Sequence, residues 1–182
     1  VGGICGKSDG TITGCTNQGD INVDWTEYDA YVGGICAESA GTITSCTNQG
    51  AVTGKGDDGA TCGGICGQNK ETITDCGSQG NIYGECNTGN VKAGGICGRN
   101  YGSNTIIENC SNQGNVTTVG EQWAFGGGIS GKNEGMIKNC NSQGNITLSE
   151  VDETAHAGGI SGTNDGIIST IINCSSVGTV TA

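Results

Sequence analysis

The chain has 182 residues with a formal net charge of −11 from 7 basic and 18 acidic side chains, 37 glycines, no proline and only 4% aromatic residues. Glycine without a strict three-residue period excludes collagen, and so few rings cannot fill a core. The acid excess, with Arg99 the sole arginine, disfavours nucleic acid as a partner, and no apolar run approaches the roughly 18 residues of a membrane span, so no membrane insertion is expected.

The first element is Gly2-Gly3-Ile4-Cys5-Gly6, followed ten positions after its cysteine by Cys15-Thr16-Asn17-Gln18-Gly19, and this two-part block recurs five more times. Its isoleucine falls at Ile4, Ile35, Ile65, Ile96, Ile129 and Ile160, separations of 31, 30, 31, 33 and 31 residues. The repeats divide a single domain, 1–182, into six units of about 1–31, 32–61, 62–92, 93–125, 126–156 and 157–182. Three residues before the second cysteine stand Ile12, Ile43, Ile73, Ile107, Ile137 and Ile171; six after it stand Ile21, Val52, Ile82, Val116, Ile146 and Val180. Short pieces rich in Ile, Val and Thr, broken by Gly and Asn, have strand and not helix periodicity, so the spacing predicts three strands per unit.

No unit can cover its own apolar rows, whereas coils stacked on one another close the three rows into a triangular aliphatic core. The fold class is therefore all-β: a right-handed parallel β-helix, or β-solenoid, of about six coils, roughly 29 Å long at about 4.8 Å per strand spacing. Gly19 and its copies are expected at corners of positive φ, and Gly2-Gly3 and their copies where backbones approach closely.

The least repetitive segments follow the third strand: Asp24–Tyr31, Gly54–Thr61, Tyr83–Lys92, Thr118–Phe125 and Leu148–His156. Read as loops along one edge, they carry six of the seven aromatic residues and ten of the eighteen acids. The candidate ligand-binding residues are accordingly Trp25, Tyr28, Tyr31, Asp57, Asp58, Tyr83, Trp123 and Phe125. The competing use of such rings is to cover the coil beneath them.

Cysteine forms two rows: Cys5, Cys36, Cys66 and Cys97, continued by Ser130 and Ser161; and Cys15, Cys46, Cys76, Cys110, Cys140 and Cys174. Bridges within coils, such as Cys5 to Cys15, would leave Cys140 and Cys174 to pair with each other and Cys62 with Cys86. Free thiols packed as small apolar groups fit the rows equally well, because serine replaces one row without loss in the other. Heavy cysteine usage points to a secreted or cell-surface protein. Cys62, Cys66, Cys76 and Cys86 lack zinc-ribbon spacing, Gly56-Asp57-Asp58-Gly59 reads as a turn, and no metal or cofactor is expected. His156, the sole histidine, could form a triad with Asp152 only if a nucleophile stood beside them, and no Gly-x-Ser-x-Gly elbow is present.

The blocks Gly3-Ile4-Cys5-Gly6, Gly64-Ile65-Cys66-Gly67, Gly95-Ile96-Cys97-Gly98, Gly128-Ile129-Ser130-Gly131 and Gly159-Ile160-Ser161-Gly162 resemble the GLUG motif of bacterial surface proteins and of segments accompanying immunoglobulin-A-cleaving metallopeptidases. Ala37 in the second unit and the cysteine at the third motif position depart from it. The resemblance implies a secreted or wall-displayed repeat region assigned to adhesion. It implies nothing catalytic, because the peptidases need a His-Glu-x-x-His motif that this chain lacks. The expected function is a non-enzymatic, extracellular, adhesin-like scaffold binding a host protein or glycan, against a carbohydrate-active enzyme or a pure spacer. The chain is expected to be a piece of a larger protein, with open ends that invite head-to-tail self-association.

Overall fold

The computed structural model describes residues 1–151 and 153–182. The chain climbs through six coils, and like segments of successive coils pair in parallel to form five sheets, four of six strands and one of five. Sheet I begins with Cys5–Ser8, sheet II with Ile12–Thr13, sheet III with Thr16–Asn17, sheet IV with Ile21–Thr26 and sheet V with Ala30–Gly33. Registry is residue on residue: Ile12, Ile43, Ile73, Ile107, Ile137 and Ile171 form one continuous ladder.

Five sheets replace the three expected from the aliphatic rows. Sheet III is a two-residue bridge after the second cysteine. Sheet V is built from Ala30–Gly33, Gly59–Gly63, Asn90–Gly94, Trp123–Gly127 and Thr154–Gly158, the ends of the segments read as loops. Its inward residues alternate as a strand requires, but they are Ala30 and Val32, Ala60 and Cys62, or Val91 and Ala93, too small to stand out as an apolar row.

The core is divided accordingly. One cluster holds the Ile35 and Ile43 rows with both cysteine rows; the other holds Val52, Ile82, Val116 and Ile146 against Val32, Val91, Ala93 and Ala124. The single triangular interior is thus replaced by two compartments separated by a waist. At the waist the Asn48 and Asn112 side chains lie directly on Gly34 and Gly95, leaving no room for a Cβ there. Asn48 Nδ2 also donates to the Gly50 carbonyl at 2.7 Å, which satisfies the buried amide. Ser78, Ser142 and Ser176 take the asparagine position in three units, and the Ser78 and Ser142 hydroxyls have no hydrogen-bond partner among the described residues.

Burial comes from neighbouring coils. Ile35, Ile65, Ile96 and Ile129 are 0% exposed, whereas Ile4 in the first coil is 47% exposed. Within sheet I, Asn69, Asn100, Asn133 and Asn164 pass hydrogen bonds from Nδ2 to Oδ1 of the next coil at 2.8, 2.7 and 2.7 Å.

The corner glycines have a different cause from the one expected. Positive φ occurs at Gly14, Ser45, Asp75, Asn109, Asn139 and Asn173, each immediately before a second-row cysteine, and not at Gly19 and its copies. Gly50, Gly80, Gly114, Gly144 and Gly178 each lie on the carbonyl of the corresponding glycine one coil earlier, where a side chain has no space.

All twelve cysteines are free thiols. Ten of them stack along the axis in the two rows, the Cys46 N–H donating to Cys76 Sγ at 3.4 Å and the Cys110 N–H to Cys140 Sγ at 3.5 Å. Packed thiols, and not bridges within coils, are therefore what the fold contains. Cys62 and Cys86 lie in the second compartment while Cys66 and Cys76 lie in the first, so the four sulfurs of the third unit do not converge. Burial pushes the Cys62 thiol up to about 12, which withholds the reactive thiolate. Alkylation in denaturant without reductant should count twelve thiols, and alkylation of the folded protein only the half-buried Cys5, Cys15 and Cys174. A denatured count below twelve would reveal bridges absent from this fold.

Candidate functional site: an axial groove beside the glycine corner

Five times along the solenoid, sheet V runs into sheet I through the Gly-Gly-Ile corner. Outward from sheet V project Tyr31, Thr61, Lys92, Phe125 and His156, stacked in register. The facing row on sheet I is Glu38, Gln68, Arg99, Lys132 and Thr163. The two rows are the walls of a groove parallel to the solenoid axis. At one end a pocket of about 250 Å³ is lined by Trp123, Phe125, Thr154 and His156 on one side and by Lys132, Thr163 and Asp165 on the other. A second pocket of about 250 Å³ shares Lys132 and Asp165 and reaches the longer corner loops at Gly102-Ser103 and Gly166-Ile167.

In units three to six the last glycine of the block makes the groove floor, a position taken by Ala37 in unit two. A Cβ on Gly131 would lie 2.7 Å from the Ala93 nitrogen and 2.8 Å from the Phe125 carbonyl oxygen. Gly67, Gly98 and Gly162 are confined by sheet V backbone in the same way, which lets the two walls close together.

The sheet V wall is aromatic toward the last coils. Trp123 and Phe125 meet edge to face at 6.4 Å, and Phe125 and His156 at 5.5 Å. Phe125 is buried, while Trp123 is 47% exposed and donates from Nε1 to Glu153 at 2.9 Å. The sheet I wall is charged. Arg99 donates from Nε and Nη2 to the same Glu134 oxygen at 3.0 and 2.6 Å, and Lys132 pairs with Asp165 at 3.3 Å. Lys92, half-buried between these walls, forms no ion pair among the described residues. Burial, followed by the Arg99 charge, holds its pKa below the ordinary lysine range, with Asp29 acting in the opposite sense. Burial and the nearby Asp29 and Glu38 carboxylates push the Tyr31 hydroxyl up.

The sequence candidates divide among three places. Tyr31, Trp123 and Phe125 belong to the sheet V wall. Trp25 and Tyr83 lie on the outer face of sheet IV, across the second core compartment, with the Lys55 ammonium 5.7 Å from the centre of each ring. Lys55 also pairs with Glu85 at 3.0 Å, and Glu85 accepts the Tyr83 hydroxyl at 3.0 Å. Burial and that carboxylate push the Tyr83 hydroxyl up to about 12. Tyr28, Asp57 and Asp58 occupy turns between sheets IV and V, where Asn87 Nδ2 donates to Asp57 Oδ1 at 2.8 Å.

The groove also uses residues outside the candidate set: Glu38, Gln68, Lys92, Arg99, Lys132, His156 and Thr163. Their signal is a spacing of seven across the glycine corner, Lys92 with Arg99, Phe125 with Lys132 and His156 with Thr163, hidden because residue type changes from unit to unit. His156 packs on Phe125 in the groove. Asp152, weighed as its triad partner, lies outside the described residues.

Residues 89–117 match the family model described as the GLUG motif. The matched stretch is one full turn of the solenoid, from the groove strand Asn90–Gly94 through Cys97–Asn100, Ile106–Glu108 and Ser111–Asn112 to the start of Val116–Gly120. It includes both Lys92 and Arg99. No curated protein and no solved structure matches the chain.

A side chain at Gly131 must push sheet V away from sheet I. Gly131→Val should therefore cost about 1–3 kcal/mol or more in chemical denaturation. Gly10→Val, at a position with open space around it, should leave the midpoint unchanged.

Proposed function

We propose that this GLUG-motif solenoid is a non-enzymatic, adhesin-like repeat module of an extracellular or cell-surface protein, and that it holds a host glycan along the axial groove. The observation carrying this reading is the Trp123–Phe125–His156 wall facing a row of hydrogen-bonding side chains across the glycine corner. Sugars present apolar C–H faces that stack on rings and hydroxyls that need donors and acceptors, and a concave site offering both binds them in a fixed orientation. The groove repeats its contacts at about 4.8 Å per coil, which suits a linear polymer better than a compact ligand.

Binding and not turnover is supported by the state of the nearby carboxylates. Glu134 is engaged by Arg99 at 2.6 Å and Asp165 by Lys132 at 3.3 Å, so neither stands free as an acid or base. An extracellular setting is supported by the match to the GLUG motif, and the burial of most thiols makes their free state compatible with oxidising surroundings. End-to-end association of this solenoid is supported by the exposed apolar groups on its first and last coils, Val1 and Ile4 on one and Ile167, Ile168 and Val177 on the other.

In a Trp25→Phe protein, Trp123 is the remaining tryptophan, and its emission should shift as a linear glycan is titrated. The Trp123→Phe protein should not respond. Silence across a broad glycan panel would sink the reading, and released fragments would replace binding with catalysis. Sedimentation at rising protein concentration should show end-to-end oligomers; a monomer throughout would exclude the association.

A further inference from the structure

We infer that the glycan held in the groove is acidic, a linear polysaccharide bearing carboxylates, and that Lys92 is the cation that receives them. The inference rests on the groove being the binding surface. The chain has seven basic side chains against eighteen acids. Five of the seven are already ion-paired: Lys55 with Glu85, Lys70 with Glu38, Arg99 with Glu134, Lys132 with Glu134 and Asp165, and Lys138 with Glu108. Of the remaining two, Lys7 is exposed on the first coil, whereas Lys92 sits half-buried midway along the groove wall.

In an acidic protein, a half-buried ammonium without a counter-charge is the exception. Its desolvation costs stability, and the Arg99 and Lys132 charges add repulsion that Asp29 offsets only in part. A ligand carboxylate between the walls supplies the missing anion. Its sugar ring then extends one coil along the register ladder to Phe125, the residue paired with Lys92 in sheet V. The chemistry selects a single-charge carboxylate over a densely sulfated chain. The charges bordering the groove are already matched, Glu38 with Lys70, Glu134 with Arg99 and Asp165 with Lys132, so beyond the one carboxylate that Lys92 receives, the further charges of a denser polymer would find no unpaired cation.

The test is calorimetric titration of the full chain with a polyuronate oligomer and with the same oligomer after reduction of its carboxyl groups to neutral alcohols. The unmodified protein should bind the polyuronate at least tenfold more tightly than the reduced oligomer, with the preference fading at high salt. Lys92→Met should abolish the preference while melting no lower than the parent, since it removes an unpaired charge, and Lys92→Arg should retain it. Equal binding of both oligomers by the parent overturns the acidic-ligand inference and leaves the glycan reading standing. Tighter binding of a sulfated polymer than of the polyuronate overturns the choice of carboxylate. Binding of neither oligomer, with Trp123 emission unmoved by any glycan, overturns the groove reading together with the inference.

Discussion

Everything in this molecule depends on one coil lying on the next in strict register at parallel-sheet spacing. The ladders align Ile on Ile and Asn on Asn, and the closest approaches are made where a Cβ has no room, as at Gly34, Gly50 and Gly95. A side chain at any of these positions would separate two coils and, through the ladder, lift every row above it. The glycine content is thus a packing requirement before it is a conformational one, since positive φ is confined largely to the corner ahead of the second cysteine.

The same constraint explains how so few large side chains make a core. Pinching each coil at the waist, where glycine meets asparagine or serine, divides the interior into two narrow compartments, each thin enough to be filled by isoleucine, valine, alanine and thiols. Cysteine serves as a small apolar group, which is why Ser130 and Ser161 can follow Cys97 in one row without disturbing the other. The thiol-rich composition has its physical basis in packing and not in cross-linking.

The groove follows from the corner that closes each coil. Because the last glycine of the block brings sheet V against sheet I, residues seven apart in sequence become opposing walls, and stacking turns each pair into a line of pairs. The register is shared by all coils, but the chemistry varies along the axis: acidic near Glu38, cationic at Lys92 and Arg99, aromatic at Trp123 and Phe125. A repeat protein can change its ligand by changing these pairs while leaving the glycines and isoleucines alone.

From the sequence alone came the solenoid, the six units and the buried Ile35, Ile43 and Val52 rows, because residues that must stack have to recur at a fixed interval. The sequence also placed Tyr31, Trp123 and Phe125 among the candidates, as large rings in variable segments. Tertiary structure decided the number of sheets, the split core, the free state of the thiols and the identity of the groove. Sheet V escaped detection because alanine and glycine give a weak apolar alternation, and Lys92 and Arg99 did because neither recurs in the other units. Pairing across a corner depends on how sharply the backbone turns there, and that angle is set by contacts between coils that no single repeat contains.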